Sequence, residues 1–586
     1  MCGFYGIVGN NKNSSKYLTE AKNLLLKRGE DGFGEVNGEF FSLLHARLNL
    51  NGQGDSGNQP IKIGNKIVLY NGEIYNKLEL IKRYDFDKKT SDTQIICGLL
   101  KDKSLFDVTN LINGMYSIAV LNLDKSILEL SVDYYGQKPL FYRISDSSII
   151  FGSQAVAVKP INSSINKEQL IFYLNFGFVN PISSFFDDVH RVQPGETITL
   201  DIKSLNKKIS EYKQIKAQNW NEGSLIRNYF EEYVDSPFPI GVTLSGGIDS
   251  SVVAHEYSNL YKGRKIAFTV QVGDKSFSEA PQAKEYAELL EIDHKIIEVP
   301  DEKVKFFWES GLSVLDEPNS DSSIITTAAL MDEAKNHVKC LISGDGGDEI
   351  FGGYNRHKLG FLFSKFQNKA FLRKILSIAS LYPSLLKKFV KLFFPTATGG
   401  EFELRINSLI RALNSEDLWE LYSRSLAIDD LFIKKIKSLH FYNKNAFSKK
   451  DFSQLNMIDL DRYFYLIGNN LTRMDKISLG YGIECRSPLL DDRIEKAHIN
   501  EIRFKSKPKL TKLHRHIYGD KNIVKKGFSY PIEDRLLGYD YEKYIKDALD
   551  ISNQLLDDNI ELNILNSGNR RNYNLASLGL WCSKNL

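Results

Sequence analysis

Short apolar runs that stop at glycine, serine or an acidic residue recur along this chain, and their rhythm divides it into two parts. From residue 1 to about 205, strand-like runs alternate with glycine turns. Lys66-Ile67-Val68-Leu69-Tyr70 reads as a strand ending at Asn71-Gly72-Glu73, and His45 to Leu50 alternates apolar with polar positions. Behind Ser91-Asp92-Thr93, apolar residues at 95, 96, 99 and 100 keep the spacing of one helix face. The part closes near Val192-Gln193-Pro194-Gly195 and the strand-like Thr197-Ile198-Thr199-Leu200. This pattern predicts a layered αββα sandwich over 1–205.

From about 220 the rhythm changes to strands followed by helical runs, as in Ile266 to Val272 and then Ala280 to Leu290. Such alternation predicts a doubly wound parallel α/β sheet, taken over 206–540, with helical additions toward the C-terminus and a tail at 541–586. Ligands of these sheets bind beyond the carboxyl ends of the strands. Two glycine-rich loops fall there. Leu244-Ser245-Gly246-Gly247-Ile248-Asp249-Ser250-Ser251 follows the strand-like Ile240 to Thr243. Ser343-Gly344-Asp345-Gly346-Gly347-Asp348-Glu349-Ile350-Phe351-Gly352-Gly353-Tyr354 follows Val338 to Ile342.

The first part carries candidate acyl-transfer chemistry. Clipping of Met1 makes Cys2 the N-terminus and puts a thiol and an α-amino group of pKa ~8 on one residue, a nucleophile with its own base. Asn71 and Gly72, an amide side chain and a backbone N–H at a strand end, can hold an oxyanion. Arg47 offers a planar fork for a carboxylate. Asp92 either caps the helix behind it or receives a substrate ammonium. Together these describe glutamine held for amide cleavage.

Met1-Cys2-Gly3, Arg47-Leu48, Asn71-Gly72-Glu73 and Ser91-Asp92 resemble the glutaminase domain of class II (N-terminal nucleophile) glutamine amidotransferases. Asp133-Tyr134-Tyr135-Gly136-Gln137-Lys138-Pro139-Leu140 and Phe151-Gly152-Ser153-Gln154 extend the likeness, with Tyr134 where Arg is common and Gln154 where Glu is common. The resemblance implies an Ntn-hydrolase sandwich, with glutamine bound by Arg47, Leu48, Asn71, Gly72, Glu73 and Asp92.

In the second part, glycines let backbone N–H groups crowd a phosphate at a helix start. With Asp249 where a Walker lysine would stand, the first loop resembles instead the PP-loop of enzymes that cleave ATP to AMP and pyrophosphate. Acids among the glycines of the second loop suit a Mg²⁺–pyrophosphate site, or a grip on an acceptor, or a solvated turn; EF-hand spacing is absent. Met474-Asp475-Lys476 and Gly482-Ile483-Glu484-Cys485-Arg486-Ser487-Pro488-Leu489-Leu490-Asp491 are similar to glutamine-hydrolysing asparagine synthetases, as are the basic stretches 509–515 and 525–532. That resemblance covers residues 1 to about 535. It implies ATP bound by Leu244, Ser245, Gly246, Gly247, Asp249 and Ser250, with Val270, Ser343 and Gly344. It implies Mg²⁺ on Asp249 and Asp348, and an acceptor and pyrophosphate region at Asp348, Glu349, Tyr354, Glu484 and Arg486. Asp345 and a lysine complete the second catalytic set; Lys512 is the best match and Lys509 the alternative.

Composition narrows the partners. A length of 586 residues allows two cores, 42% hydrophobic and 25% charged residues are ordinary for globular proteins, and a net charge of +3 suggests no nucleic acid. Five scattered cysteines indicate neither a disulfide framework nor a zinc site. No leader and no run of eighteen apolar residues appears, so a cytoplasmic enzyme without a membrane span is expected. Residues 358–400 carry Lys365, Lys369, Arg373, Lys374, Lys387, Lys388 and Lys391 without an acid. They read as a solvated face on packed helices, or as a basic helix making peripheral contact with a membrane or an anionic partner. A homodimer is the family-level expectation. The expected reaction is transfer of glutamine nitrogen to an ATP-activated carboxylate. Aspartate is the first acceptor, and the alternatives are a sugar uronic acid or an inactive glutamine-sensing scaffold.

Overall fold

The computed structural model describes residues 2–10, 14–49, 57–145, 147–213, 226–272, 279–365, 415, 417–428, 456–495, 507–520, 530, 541–556 and 569–586. The basic segment beyond residue 365, and the stretch 525–532 apart from Tyr530, lie outside these described residues.

Twelve strands of the described residues build the N-terminal part: β1 Gly3–Gly9, β2 Gly32–Asn37, β3 Phe41–Arg47, β4 Ile61–Ile63, β5 Lys66–Ile74, β6 Gly114–Asn122, β7 Ile127–Val132, β8 Phe141–Ile144, β9 Ser148–Gly152, β10 His190–Arg191, β11 Glu196–Asp201 and β12 Asn206–Tyr212. They form two antiparallel sheets, ordered β10-β8-β9-β1-β3-β2 and β12-β11-β7-β6-β5-β4. Successive side chains of a strand face opposite ways, and the sequence uses both faces. Phe4, Val8 and Leu43 of one sheet meet Leu69, Leu121 and Leu128 of the other in the central core. Tyr5, Ile7 and Leu44 point outward onto the helix Ser14–Leu26. Val68, Tyr70 and Ile118 point outward onto the helices Lys77–Tyr84 and Asp92–Leu99. This is the expected αββα sandwich. Its second sheet continues through β12 to Tyr212, seven residues past the expected boundary at 205.

The second part holds a parallel sheet of β13 Ile240–Thr243, β14 Ile266–Gln271, β15 Asp293–Glu298, β16 Cys340–Ile342 and β17 Glu484–Arg486, ordered β15-β14-β13-β16-β17 among the described residues. β13, β14 and β16 are almost wholly buried, as unbroken apolar runs in a parallel sheet should be. The described residues of 541–586 include the helices Glu542–Leu556 and Asn569–Asn585, which pack on each other. Trp581 is buried there, donating to the Leu315 carbonyl at 2.9 Å and meeting Phe185 edge-on at 5.3 Å between ring centres.

The two parts meet through a buried ionic seam in which Lys138, Ser153, Asp475 and Lys476 of the sequence motifs are joined by Arg28 and Asp316. Lys138 Nζ donates to Asp475 at 2.8 Å and Arg28 Nη2 to the same carboxylate at 3.3 Å. Lys476 Nζ donates to the Ser153 carbonyl at 2.9 Å and lies 3.1 Å from Asp316, which accepts from the Ala155 N–H. Burial alone would push the Asp475 carboxyl up, but Lys138, Arg28 and Lys476 outweigh it and hold it well below the usual carboxylate range. A depressed acid stabilises the fold above its unfolded pKa of ~3.9, and that stability is lost as pH falls below it. Asp475→Asn leaves two buried cations unbalanced, so a loss of about 3–5 kcal/mol at pH 7 is expected in urea unfolding, shrinking as the pH is lowered through 4.

Candidate active sites

Cys2 enters β1 deep among other groups yet keeps a partly accessible surface. Its N–H donates to Asn71 Oδ1 at 3.1 Å, which ties it to β5, a strand that continues past the expected end at Asn71-Gly72 to Ile74. That bond turns Asn71 Nδ2 into a buried donor with no partner among the described residues. Gly72 follows, where a Cβ would stand 2.1 Å from the Met115 carbonyl oxygen, so only glycine lets β5 lie against β6 here. Burial pushes the Cys2 thiol up; the Leu48 backbone and Arg47 pull against it. A thiol held protonated needs a base beside it.

The groups expected to hold a substrate surround this thiol. Arg47 donates to Asn58 at 3.0 Å and Asn49 at 3.2 Å, two amides that fix the plane of its fork. Asp92 is not the helix cap: Ser91 takes that role, accepting from the Gln94 N–H while Gln94 answers the Ser91 N–H in a capping box. Asp92 Oδ2 instead accepts from the Ile74 N–H at 2.9 Å, and Oδ1 faces Lys77 at 3.4 Å. Burial raises the Glu73 carboxyl well above the usual range; Arg486 pulls it down, while Asp92 and Glu484 add to the rise. Two buried acids that raise one another form a place for a cation.

Glu484 and Arg486, expected in the acceptor and pyrophosphate region, stand at this glutaminase-side cluster instead. Arg486 Nη2 lies 3.2 Å from Glu73, its Nε donates to Glu484 at 2.7 Å, and its Nη1 donates to the Tyr233 carbonyl at 2.9 Å. The alternation of β17 explains the correction: residues 484 and 486 share the face turned to β5. The β17 backbone still reaches the second site, because the Arg486 carbonyl accepts from the Ser343 N–H at 2.9 Å.

The second site is a cavity of about 330 Å³ at the carboxyl ends of β13, β14 and β16. Leu244, Ser245, Asp249 and Ser250 line it from the first loop, and Val270 from β14. Ser250 Oγ receives the Ser245 N–H at 3.0 Å, and Ser245 Oγ receives the Gly247 N–H at 3.1 Å, which curls Gly246 and Gly247 into the start of the helix Ile248–Leu260. From the other side come Ser343, Gly344, Asp345, Asp348 and Tyr354. Ser343 Oγ donates to Asp345 at 2.8 Å, and burial raises the Asp345 carboxyl. Glu349 sits behind, accepting from Tyr354 and Asn470 at 2.8 and 2.9 Å, pushed up to about 7 by burial and Asp348.

A lysine outside the expected pair, Lys507, reaches the carboxylates of this cavity. Its Nζ donates to Asp249 and lies 2.6 Å from Asp348, so both expected metal ligands converge on one cation. Lys512 is exposed, five residues on along the helix Pro508–Tyr518, and Lys509 is half-buried. Pro508 marks the helix start in the sequence, but no local signal gives the lysine before it this role. Gly353 makes the room, since a Cβ there would stand 1.6 Å from Asp348 Oδ1 and 2.2 Å from Lys507 Cε. Among the described residues no three metal-ligating side chains gather. Mg²⁺ needs only one or two carboxylates when nucleotide phosphates supply its other ligands, so Asp249 and Asp348 fit it.

A cysteine-bearing αββα sandwich joined to a parallel sheet with a glycine-loop nucleotide site defines a glutamine amidotransferase coupled to an ATP-using synthetase. Residues 1–213 match the glutamine amidotransferase domain model and 224–577 the asparagine synthase model. The chain belongs to the asparagine synthase family, whose members use ATP as a substrate. Among curated proteins it is 25% identical over 523 residues to asparagine synthetase [glutamine-hydrolyzing] 1 of Bacillus subtilis, covering 84% of this chain and 79% of that one. It is 29% identical over 401 residues to putative asparagine synthetase [glutamine-hydrolyzing] 2 of Methanocaldococcus jannaschii, covering 62% and 77%. Amidase chry2 of Gibberella zeae is 25% identical over 383 residues, 59% of this chain and 56% of that one. No described helix is long and apolar enough to cross a membrane.

Proposed function

We propose that the chain makes asparagine from aspartate, glutamine and ATP. The observation that carries this reading is β17, whose side chains join the glutaminase cluster at Glu73 while its backbone holds the Ser343 loop of the cavity.

Arg47 receives the α-carboxylate of glutamine, and Asp92 with Glu73 receives its ammonium in the place Lys77 and Arg486 now neutralise. The Cys2 amine takes the thiol proton, the sulfur attacks the side-chain amide, and Asn71 Nδ2 with the Gly72 N–H holds the oxyanion. The proton returns to the leaving nitrogen, and water then frees glutamate from the thioester. In the cavity the Ser245–Ser250 turn cradles ATP phosphates on the helix N-terminus. Mg²⁺ on Asp249 and Asp348 would offset phosphate charge there. Lys507 stands where negative charge gathers as an aspartate carboxylate oxygen attacks the α-phosphorus and pyrophosphate leaves. Ammonia, passed along β17, displaces AMP from the acyl-adenylate. Glutamine, aspartate and ATP are thus the partners, in a cytoplasmic enzyme.

Purified protein given glutamine, Mg-ATP and L-aspartate should release asparagine, AMP and pyrophosphate in equimolar amounts, read together by chromatography and a pyrophosphate assay. Glutamate and AMP appearing without asparagine would overturn the aspartate assignment.

A further inference from the structure

β13 and β14 run side by side to the edge of the cavity and then part through an irregular bond. In a regular parallel ladder, a residue that donates its N–H to one carbonyl of the neighbouring strand receives at its own carbonyl the N–H two residues further along that strand. The Leu244 N–H donates to the Phe268 carbonyl at 2.9 Å, so the regular donor to the Leu244 carbonyl is the Val270 N–H. A side chain takes that place instead. The buried Thr269 donates from Oγ1 to the Leu244 carbonyl at 2.5 Å, and no other donor among the described residues reaches that oxygen. The Phe268 carbonyl faces β13, and the backbone two residues on faces the same way, so the Val270 N–H is turned toward the gap where Leu244, Thr269 and Val270 line the cavity.

A threonine hydroxyl has one proton, and His294 decides where it goes. From β15, the strand next to β14, His294 places Nε2 2.7 Å from Thr269 Oγ1. If Nε2 carries the ring proton, the imidazole donates to Thr269 and the hydroxyl proton is left for Leu244. If Nδ1 carries it, Nε2 competes for the hydroxyl proton, and the buried Leu244 carbonyl loses its donor at a cost of about 1–3 kcal/mol. The bonding network therefore assigns the proton to Nε2. The ring holds only that one, because burial and Lys284 on the helix Ala280–Leu289 press its basicity down against the pull of Glu288. Nδ1 is buried without a hydrogen-bond partner among the described residues. One side of the ring is left unmatched so that the other can face Thr269.

We propose that His294 is a positioning residue of the nucleotide site: acting through Thr269, it keeps the Leu244 carbonyl occupied and the Val270 N–H open to an acceptor atom of the nucleotide base. The inference rests on the ATP reading of the cavity and adds a cause that lies outside both glycine loops. Without the imidazole the hydroxyl is free to turn away, and the Leu244 carbonyl takes the Val270 N–H to complete the ladder. That closes the donor to the nucleotide and narrows the gap between β13 and β14. The Ser245–Ser250 turn, held by its own serine hydroxyls, does not depend on this relay. His294 thus acts on the base end of the nucleotide and not on its phosphates.

Isothermal titration calorimetry of the full chain with Mg-ATP and with Mg-tripolyphosphate, which has the phosphates and no base, separates the two ends of the ligand. In His294→Leu and in Thr269→Val, ATP should bind about 10-fold more weakly, the worth of one hydrogen bond, while tripolyphosphate stays within about 2-fold of wild type. His294→Gln, whose amide still donates to the hydroxyl, and Thr269→Ser, which keeps a hydroxyl, should each bind ATP within about 3-fold of wild type. Thermal unfolding checks that each variant folds. Equal weakening of both ligands in folded His294→Leu would make the residue a prop of the whole loop and overturn the proposal, as would ATP binding that does not change. Weakening in His294→Leu with none in Thr269→Val overturns the route through Thr269. A wild type that binds ATP no more tightly than tripolyphosphate overturns the contact to the base and leaves the phosphate site standing. A wild type that binds neither overturns the nucleotide reading of the cavity itself.

Discussion

Cys2→Ala is expected to lower glutamine-dependent asparagine formation by on the order of 10³-fold or more, while synthesis from ammonium chloride continues close to the wild-type rate. Cys340, a buried thiol that feels the same Glu73–Arg486 cluster, is pushed up to about 12 by burial and does not replace Cys2. Asn71 Nδ2 and Gly72 can hold an oxyanion, but without sulfur no thioester forms. The second site is built from different strands, and its loops make no use of the thiol. Burial raises the thiol, so the glutaminase rate should also climb with pH as the α-amine of a clipped Cys2 loses its proton near ~8. Glutamate, asparagine and AMP measured with each nitrogen source decide the matter. Loss of synthesis from both sources would break the two-site account.

The parts of these sites that could be read from sequence are those that local chemistry fixes. The strand that carries Asn71-Gly72, which runs on to Ile74 instead of ending there, and the strand, glycine turn and helix start at Ser245 are determined by neighbours along the chain. The sandwich was legible for the same reason, because period-two alternation in β1 and β5 loads both faces of each sheet. Choices between equivalent local readings were not legible. Ser91 and Asp92 both qualify as caps, and the capping box with Gln94 gives the role to Ser91, which frees Asp92 for the site. Glu484 and Arg486 sit in a motif associated with the synthetase half. Only the pairing of β17 beside β16 shows that they face Glu73. His294 has no motif of its own, and its tie to Thr269 appears only once β14 and β15 lie side by side.

Lys507 shows the same limit most sharply and carries the second large effect. Lys507, Lys509 and Lys512 lie close together, and the sequence motif offers only Lys512 and Lys509 for the role. In the fold Lys507 takes a left-handed backbone (φ 47°) immediately before Pro508, which turns its side chain back over the first loop to Asp249, 258 positions away. Burial would discharge it, but Asp249 and Asp348 outweigh that and keep it protonated. Lys507→Met removes the cation on which two carboxylates converge, just where triphosphate charge must gather. ATP–pyrophosphate exchange should fall by about 10²- to 10³-fold, whereas Lys512→Met, on the exposed side of the same helix, should stay within about 3-fold of wild type. Lys507→Arg should not rescue, because a planar guanidinium is wider than the ammonium that Asp249 and Asp348 share. Glutamine hydrolysis, measured as glutamate release, should persist in every one of these variants. If exchange falls with Lys512→Met and survives Lys507→Met, the catalytic cation lies on the helix and the convergence of Asp249 and Asp348 on Lys507 is only a structural ion pair.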